Sequence, residues 1–288
     1  CTGFSSALLS LSPPPHFHPR EIHLLHAIWG LGFALSPAVF SIMLDRGLSW
    51  RLGYVVMLVL TLILGGIIFL YHGWKSISSL STGETSAKSH VSFSETLRLP
   101  IVWISLAVFA VYVGAELMPN AWAFSLFTEV RQMDVLTAGY WVAAYGSGLT
   151  IGRIVFGMIA NRFTPNQLLR MTMFGALIGI LGFWFGGTSL ISVLGLAFTG
   201  FCFGPIFPLL MTATPERLGK YAANTIGFQM AAVGLGNALL PAAAGLIAGR
   251  LGLETTVPFT FVLGVILFAL HEWLIALTRQ RMTVEAAA

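Results

Sequence analysis

The chain has 288 residues, 56% of them hydrophobic and 9% charged, with a formal net charge of +4 at pH 7. At a mean hydropathy of +0.84 there are far too few charges to cover a soluble globule of this size, so the composition predicts a polytopic membrane protein. Membrane proteins collect Lys and Arg on their cytoplasmic loops, so the basic balance gives no support to nucleic-acid binding. The two cysteines, Cys1 and Cys202, are far apart and provide no disulfide framework.

Residues 1–20 carry a short apolar piece, Ala7–Leu11, followed by Pro13, Pro14, Pro15 and His16-Phe17-His18-Pro19. They are too broken for a spanning helix of about 20 residues. His16, His18, His23 and His26 cluster here without the acidic or cysteine partners and fixed spacing of a metal site. Neither a metal nor a cofactor is expected. The chain begins without Met and without a secretory signal pattern, and reads as the C-terminal part of a longer protein.

Apolar spans follow at about 22–44, 51–72, 100–127, 137–160, 166–187, 189–212, 222–249 and 256–278. Each is long enough as a helix to cross roughly 30 Å of hydrocarbon, and helices satisfy their own backbone there. The expected domains are an irregular start over 1–20, two helices over 21–74, a Ser/Thr-rich linker over 75–97, a six-helix half over 98–279 and a tail over 280–288. Arg20, Lys75, Lys88, Arg98, Arg162, Arg170, Arg217, Lys220, Arg279 and Arg281 fall on one side, against Arg46, Arg51, Arg131 and Arg250 on the other. The more basic side is predicted to be cytoplasmic, with both chain ends on it.

Gly30–Ala38 reads Gly-Leu-Gly-Phe-Ala-Leu-Ser-Pro-Ala, and Gly234–Ala242 reads Gly-Leu-Gly-Asn-Ala-Leu-Leu-Pro-Ala, 204 positions later. Arg46 and Arg250 close the two segments at the same spacing. The copies fall in the first and seventh spans, which run in the same direction. A parallel repeat of six-helix units follows, with a solute site near the midplane between halves.

Glu116 is the acidic residue set deepest in a span, where insertion of a carboxylate costs about 2.5–3.5 kcal/mol. Tyr112, Glu116 and Asn120 recur every four residues and form one polar stripe, expected to face a cavity. Pro119 is expected to bend or open the helix beside Glu116. A carboxylate in this setting suits a group that takes up and releases a proton; helix-to-helix bonding is the competing role. In the seventh span Gln229 and Asn237 project within about 80° of each other and can bond either solute hydroxyls or neighbouring helices. Trp122 and Tyr145 offer flat amphipathic faces, for solute or for the membrane interface, and His26 is a further candidate for the cavity wall. Gly152, Arg153 and Arg162, near the end of the fourth span, read as a gate element, its arginines snorkelling to the surface or pairing across the gap. His271-Glu272 begins a zinc-protease pattern that Ile275 breaks. With no nucleophile and base set, the chain is not expected to be an enzyme.

Taken together these pieces resemble the major facilitator superfamily of secondary transporters, and within it the bacterial group similar to fucose permease. The resemblance runs from about His23 to Leu277. It rests on His26 with Gly30–Pro37, Tyr112–Glu116 with Trp122, Gly152-Arg153 with Gly157, Gly204-Pro205-Ile206-Phe207-Pro208, and Gly227-Phe228-Gln229 with Gly234 and Pro241. It implies an all-α helical bundle in the cell membrane with eight of twelve transmembrane helices present, numbers five to twelve. It also implies alternating access, a small-molecule solute and a proton as partners, and a potential worth about 2.3 kcal/mol per charge at 100 mV. Tyr145-Gly146 stands where the group would have an aromatic pair, and the Pro-rich start does not resemble a fourth helix. Proton-coupled uptake of a small polar solute such as a sugar is the leading expectation. Efflux of a drug or metabolite, and a truncated non-transporting membrane protein, are the alternatives.

Overall fold

The computed structural model describes residues 19–70 and 91–287, with side chains described over 32–70, 91–160 and 162–280. Nearly all of the predicted irregular start, its histidines His16 and His18, and most of the linker fall outside the described residues. The regular structure among the described residues is all helical. The first two helices are α1 (Pro19–Asp45) and α2 (Trp50–Leu70), and a one-turn α3 (Phe93–Leu97) follows at the end of the linker. Then come α4 (Pro100–Ser125), which widens into a π turn over Leu126–Val130, α5 (Val135–Ile159) and α6 (Pro165–Phe185). The remaining helices are α7 (Leu190–Phe203), α8 (Ile206–Leu218), α9 (Ala222–Leu251) and α10 (Thr256–Ala287).

The boundaries follow from local chemistry. Pro100 and Pro165 open α4 and α6, where a missing N–H is harmless. Thr164 and Gln167 bond reciprocally as a capping box. Asp134 caps α5 by accepting the Thr137 N–H at 2.8 Å, which holds its carboxyl below the usual carboxylate range. Gly252, with φ +95°, ends α9 in a conformation that disfavours other residues.

Each predicted span falls on helix, but the helical break differs from expectation. α4 runs unbroken through Pro119, whereas the sixth span divides at Gly204-Pro205 into α7 and α8. Two prolines explain the division. In a continuous helix Pro205 and Pro208 would supply the N–H groups for the carbonyls of Phe201 and Gly204, and proline has none to give.

Helix packing is set by small residues. Lipid tails are as apolar as leucine, so helices associate in a membrane through close packing rather than through water exclusion. A Cβ on Gly148 would stand 2.1 Å from the Ala197 carbonyl oxygen, and one on Gly152 2.0 Å from that of Phe201. From the other side, a Cβ on Gly200 would stand 2.2 Å from the Tyr145 oxygen and one on Gly204 2.3 Å from that of Leu149. Four-residue spacing on both helices thus locks α5 to α7 backbone to backbone. Gly157, further along α5, faces open space. α1 lies along α5, with Ala34 against Gly146 and Ser41 against Gly139.

The end of the bundle away from Arg170 and Arg217 is tied by Arg131, whose side chain is 5% exposed. Its guanidinium forks onto Glu254 at 3.0 and 3.2 Å and donates to the Gly187 carbonyl at 2.7 Å and the Ser192 hydroxyl at 2.9 Å. It thereby joins the turns following α4, α6 and α9. At the basic end Arg170 pairs with Glu272 at 2.6 and 2.7 Å, and Arg217 donates to Asn166 at 2.7 Å.

Glu254 is half exposed, so its ion pair contributes little. The buried acceptors around Arg131 matter more. Arg131→Ala is expected to lower unfolding stability by about 2 kcal/mol or more and Glu254→Ala by less than about 1 kcal/mol, read by thermal melting of the purified protein. Gly152→Ala forces a methyl into the Phe201 carbonyl and should cost about 1–3 kcal/mol; Gly157→Ala should leave the melting temperature unchanged or raise it.

Candidate functional site

Three helices meet at one buried polar cluster. α4 contributes Glu116, 8% exposed, α5 contributes Tyr145 and Arg153, and the end of α7 contributes the carbonyls of Phe203 and Gly204. Arg153 Nη2 lies 3.3 Å from Glu116 Oε1, and Arg153 Nε donates to the Gly204 oxygen at 3.0 Å. The Tyr145 hydroxyl donates to the main-chain carbonyl of Glu116, in the turn that Pro119 disturbs. Tyr112 donates to the Phe203 carbonyl at 3.3 Å and lies against the Glu116 carboxylate.

The cluster forms because of what proline removes. The Gly204 carbonyl lacks its helical donor at Pro208, and leaving an acceptor buried without a partner costs about 1–3 kcal/mol. Arg153 supplies that donor. Its planar fork also neutralises Glu116, whose carboxylate could not be held there alone. A charge pair with this little access to water balances desolvation against attraction.

Several expectations change in this light. The Tyr112–Glu116–Asn120 stripe does not face one cavity, because Tyr112 and Glu116 are buried against α5 and α7 and Asn120 alone is exposed. Arg153 turns inward to Glu116 rather than snorkelling. Arg162 sits exposed in the turn after α5, apart from Arg153, so the three gate residues are not one unit.

Gln229 and Asn237 also separate. Gln229 is fully buried and its amide donates to Ser105 at 2.6 Å and Thr214 at 3.1 Å, linking α9 to α4 and α8. Asn237 is exposed on α9. Trp122 donates its indole N–H to the Pro241 carbonyl at 3.1 Å, and its ring fills the space over Gly245. Tyr145 is buried within the cluster and presents no free face. His26 lies on α1 but outside the residues whose side chains are described.

A small crevice of about 10 Å³, room for little more than a water molecule, opens beside Pro119 and Trp122, lined also by Thr199, Thr256 and Thr260. Each threonine hydroxyl donates to a carbonyl close by in its own chain segment. Among the described residues no group of three or more His, Cys, Asp or Glu could hold a metal.

Sequence reasoning missed Ser105 and Thr214, because a hydroxyl in a span gives no signal until its neighbour is known. It also missed the acceptor role of the Gly204 carbonyl. The signal for that was present in Gly204-Pro205 and Pro208.

Comparison with known proteins points the same way. The chain is 26% identical over 298 residues to bypass of stop codon protein 6 of Saccharomyces cerevisiae, covering 89% of this chain and 57% of the relative. It is 24% identical over 249 residues to a Helicobacter pylori protein named "Putative glucose/galactose transporter", covering 81% of this chain and 59% of that one. The chain thus spans less than two thirds of either relative. Among solved structures, the Escherichia coli fucose:proton symporter FucP superposes with a TM-score of 0.55 at 16% identity, over 67% of this chain and 47% of that one. FucP in the outward conformation gives 0.56 at 17% over the same shares. At these identities the likeness to the structures concerns the fold. The Major Facilitator Superfamily profile matches residues 2–226, and with the apolar helices described above it follows that the chain belongs to the Major Facilitator Superfamily and is a multi-pass membrane protein.

Proposed function

We propose that the protein is a proton-coupled transporter of a small polar solute working by alternating access, with Glu116 as the group that takes up and releases the proton. The observation that carries this reading is the buried Glu116–Arg153 pair at 3.3 Å. A carboxylate kept in a helical span at this cost belongs to a pathway or to a relay, and its one cationic partner makes its charge consequential. Protonation of Glu116 would withdraw its charge from Arg153 while the Gly204 carbonyl still accepts from the guanidinium. The bundle would then favour a different arrangement of α4, α5 and α7.

Solute contact is assigned to the exposed amides, Asn120 on α4 and Asn237 on α9, which have the donors and acceptors that hydroxyl groups require. Gln229 would act as a fixed link between helices. Orientation follows the basic residues, with Arg170, Arg217 and both chain ends in the cytoplasm. Sugars are the first solutes to test, because the Helicobacter pylori relative is named for glucose and galactose and the structural neighbour for fucose and protons.

The test is solute-evoked proton movement across vesicles containing the full-length protein, with a panel of neutral sugars. One sugar should alkalinise the outside, and Glu116→Gln should abolish that signal while the protein remains folded. Arg153→Ala should destabilise more than Glu116→Gln, since it removes the cation beside a buried carboxylate and the donor to the Gly204 carbonyl, a loss of up to about 3–5 kcal/mol for a fully buried pair and less here because Arg153 is 21% exposed. Absence of proton movement with every sugar would remove the sugar symport reading.

A further inference from the structure

We propose that Arg153 is a positioning residue that transmits the charge of Glu116 to the break between α7 and α8, through the Gly204 carbonyl that Pro208 leaves without a helical donor. The inference rests on the reading of Glu116 as a proton site and adds the element that its charge would move.

Arg153 holds both partners with one rigid plane, Nη2 on Glu116 at 3.3 Å and Nε on Gly204 at 3.0 Å. A guanidinium cannot turn at one contact without disturbing the other. The carbonyl it holds sits at the helical break itself, one residue before Pro205. On one side of the break α7 is fixed to α5 by the glycine seam. Beyond it α8 is held by side chains, with Ile206 and Leu210 buried, Thr214 bonded to Gln229 at 3.1 Å and Arg217 to Asn166 at 2.7 Å. Such a junction, locked backbone to backbone before the break and held by side chains beyond it, lets α8 pivot about Gly204-Pro205.

The titratable groups facing Glu116 are Tyr112 on its own helix and Tyr145 and Arg153 on α5; from α7 the nearby polar groups are the Phe203 and Gly204 carbonyls. With Glu116 ionised, Arg153 is drawn between carboxylate and carbonyl. With Glu116 protonated that pull weakens, the guanidinium resettles on the carbonyl, and the peptide at the break turns with it. Below the pKa of Glu116 the α8 position with a relaxed fork gains population; above it the present one does.

The test is a distance measurement between spin labels at Met158→Cys, exposed near the end of α5, and Glu216→Cys, exposed on α8, in the full-length protein with Cys1→Ser, Cys202→Ala and every other native cysteine replaced. In lipid nanodiscs, titration should change the ratio of two distance populations by up to about tenfold per pH unit for one linked proton. Pro208→Ala gives the Gly204 carbonyl a helical donor and should flatten that response. Arg153→Lys keeps the charge but loses the fork, and should flatten it too, which keeps the test open if either variant folds poorly. Pro215→Ala, within α8 and away from the break, should respond as the wild type does. A full pH response in both Pro208→Ala and Arg153→Lys overturns the transmission through Gly204 while leaving Glu116 as the proton site. A pH response that survives in Glu116→Gln overturns the reading of Glu116 as well.

Discussion

Hydrocarbon offers no hydrogen bonds, so a carbonyl that a proline frees inside a span has to find another partner within the protein. Much of this bundle can be understood from that constraint. Pro205 and Pro208 strip the donors from Phe201 and Gly204. The first carbonyl is pressed against Gly152, and the second receives Arg153. Gly152 and Arg153 are adjacent because consecutive positions on α5 serve two carbonyls three residues apart on α7. Tyr112 and Tyr145 extend the pattern, with hydroxyls on main-chain carbonyls beside the break and beside Pro119.

Once Arg153 is fixed by a carbonyl, its charge is also fixed in place, and Glu116 is the acid that answers it. A structural need, capping a broken helix, and a chemical one, holding an ionisable acid in the span, are met by one guanidinium. Lysine could meet either need but not both, since its ammonium is a point charge without the planar fork. Elsewhere the polar links are dedicated to structure. Arg131 gathers three turns at one end and Gln229 ties three helices through Ser105 and Thr214, whereas the polar contact at the break itself is that of Arg153.

The helices were legible because hydropathy alone decides what crosses a bilayer, and Glu116 stood out because a carboxylate in a span is expensive. Its partner was not legible. Arg153 lies six residues from the end of α5, near enough for snorkelling to be the natural reading, and only the proximity of α4 and α7 turns it inward. Gln229 and Asn237 show the same limit. Their spacing fixes their angle about α9 to within about 80°, yet that angle is wide enough for one to be buried among hydroxyls and the other to be exposed. The helix break was misplaced at Pro119 because one proline disturbs a helix that its neighbours can still hold, whereas the pair at 205 and 208 removes two donors within a single turn.

The repeated string makes the same point from inside the chain. In α1, Ala34 is buried against Gly146 while Gly32 faces open space. In α9 the equivalent pair is reversed: Gly236 packs against the Ala110 carbonyl, with its Cβ position 2.1 Å from that oxygen, and Ala238 is exposed. Nearly identical residues therefore bury opposite positions of the same motif. Small residues at these positions make more than one side of the helix capable of close approach, and the contact realised depends on what the neighbouring helix presents: a glycine on α5 in one copy, an alanine carbonyl on α4 in the other. The motif specifies a surface able to pack, and the fold selects which part of that surface is used.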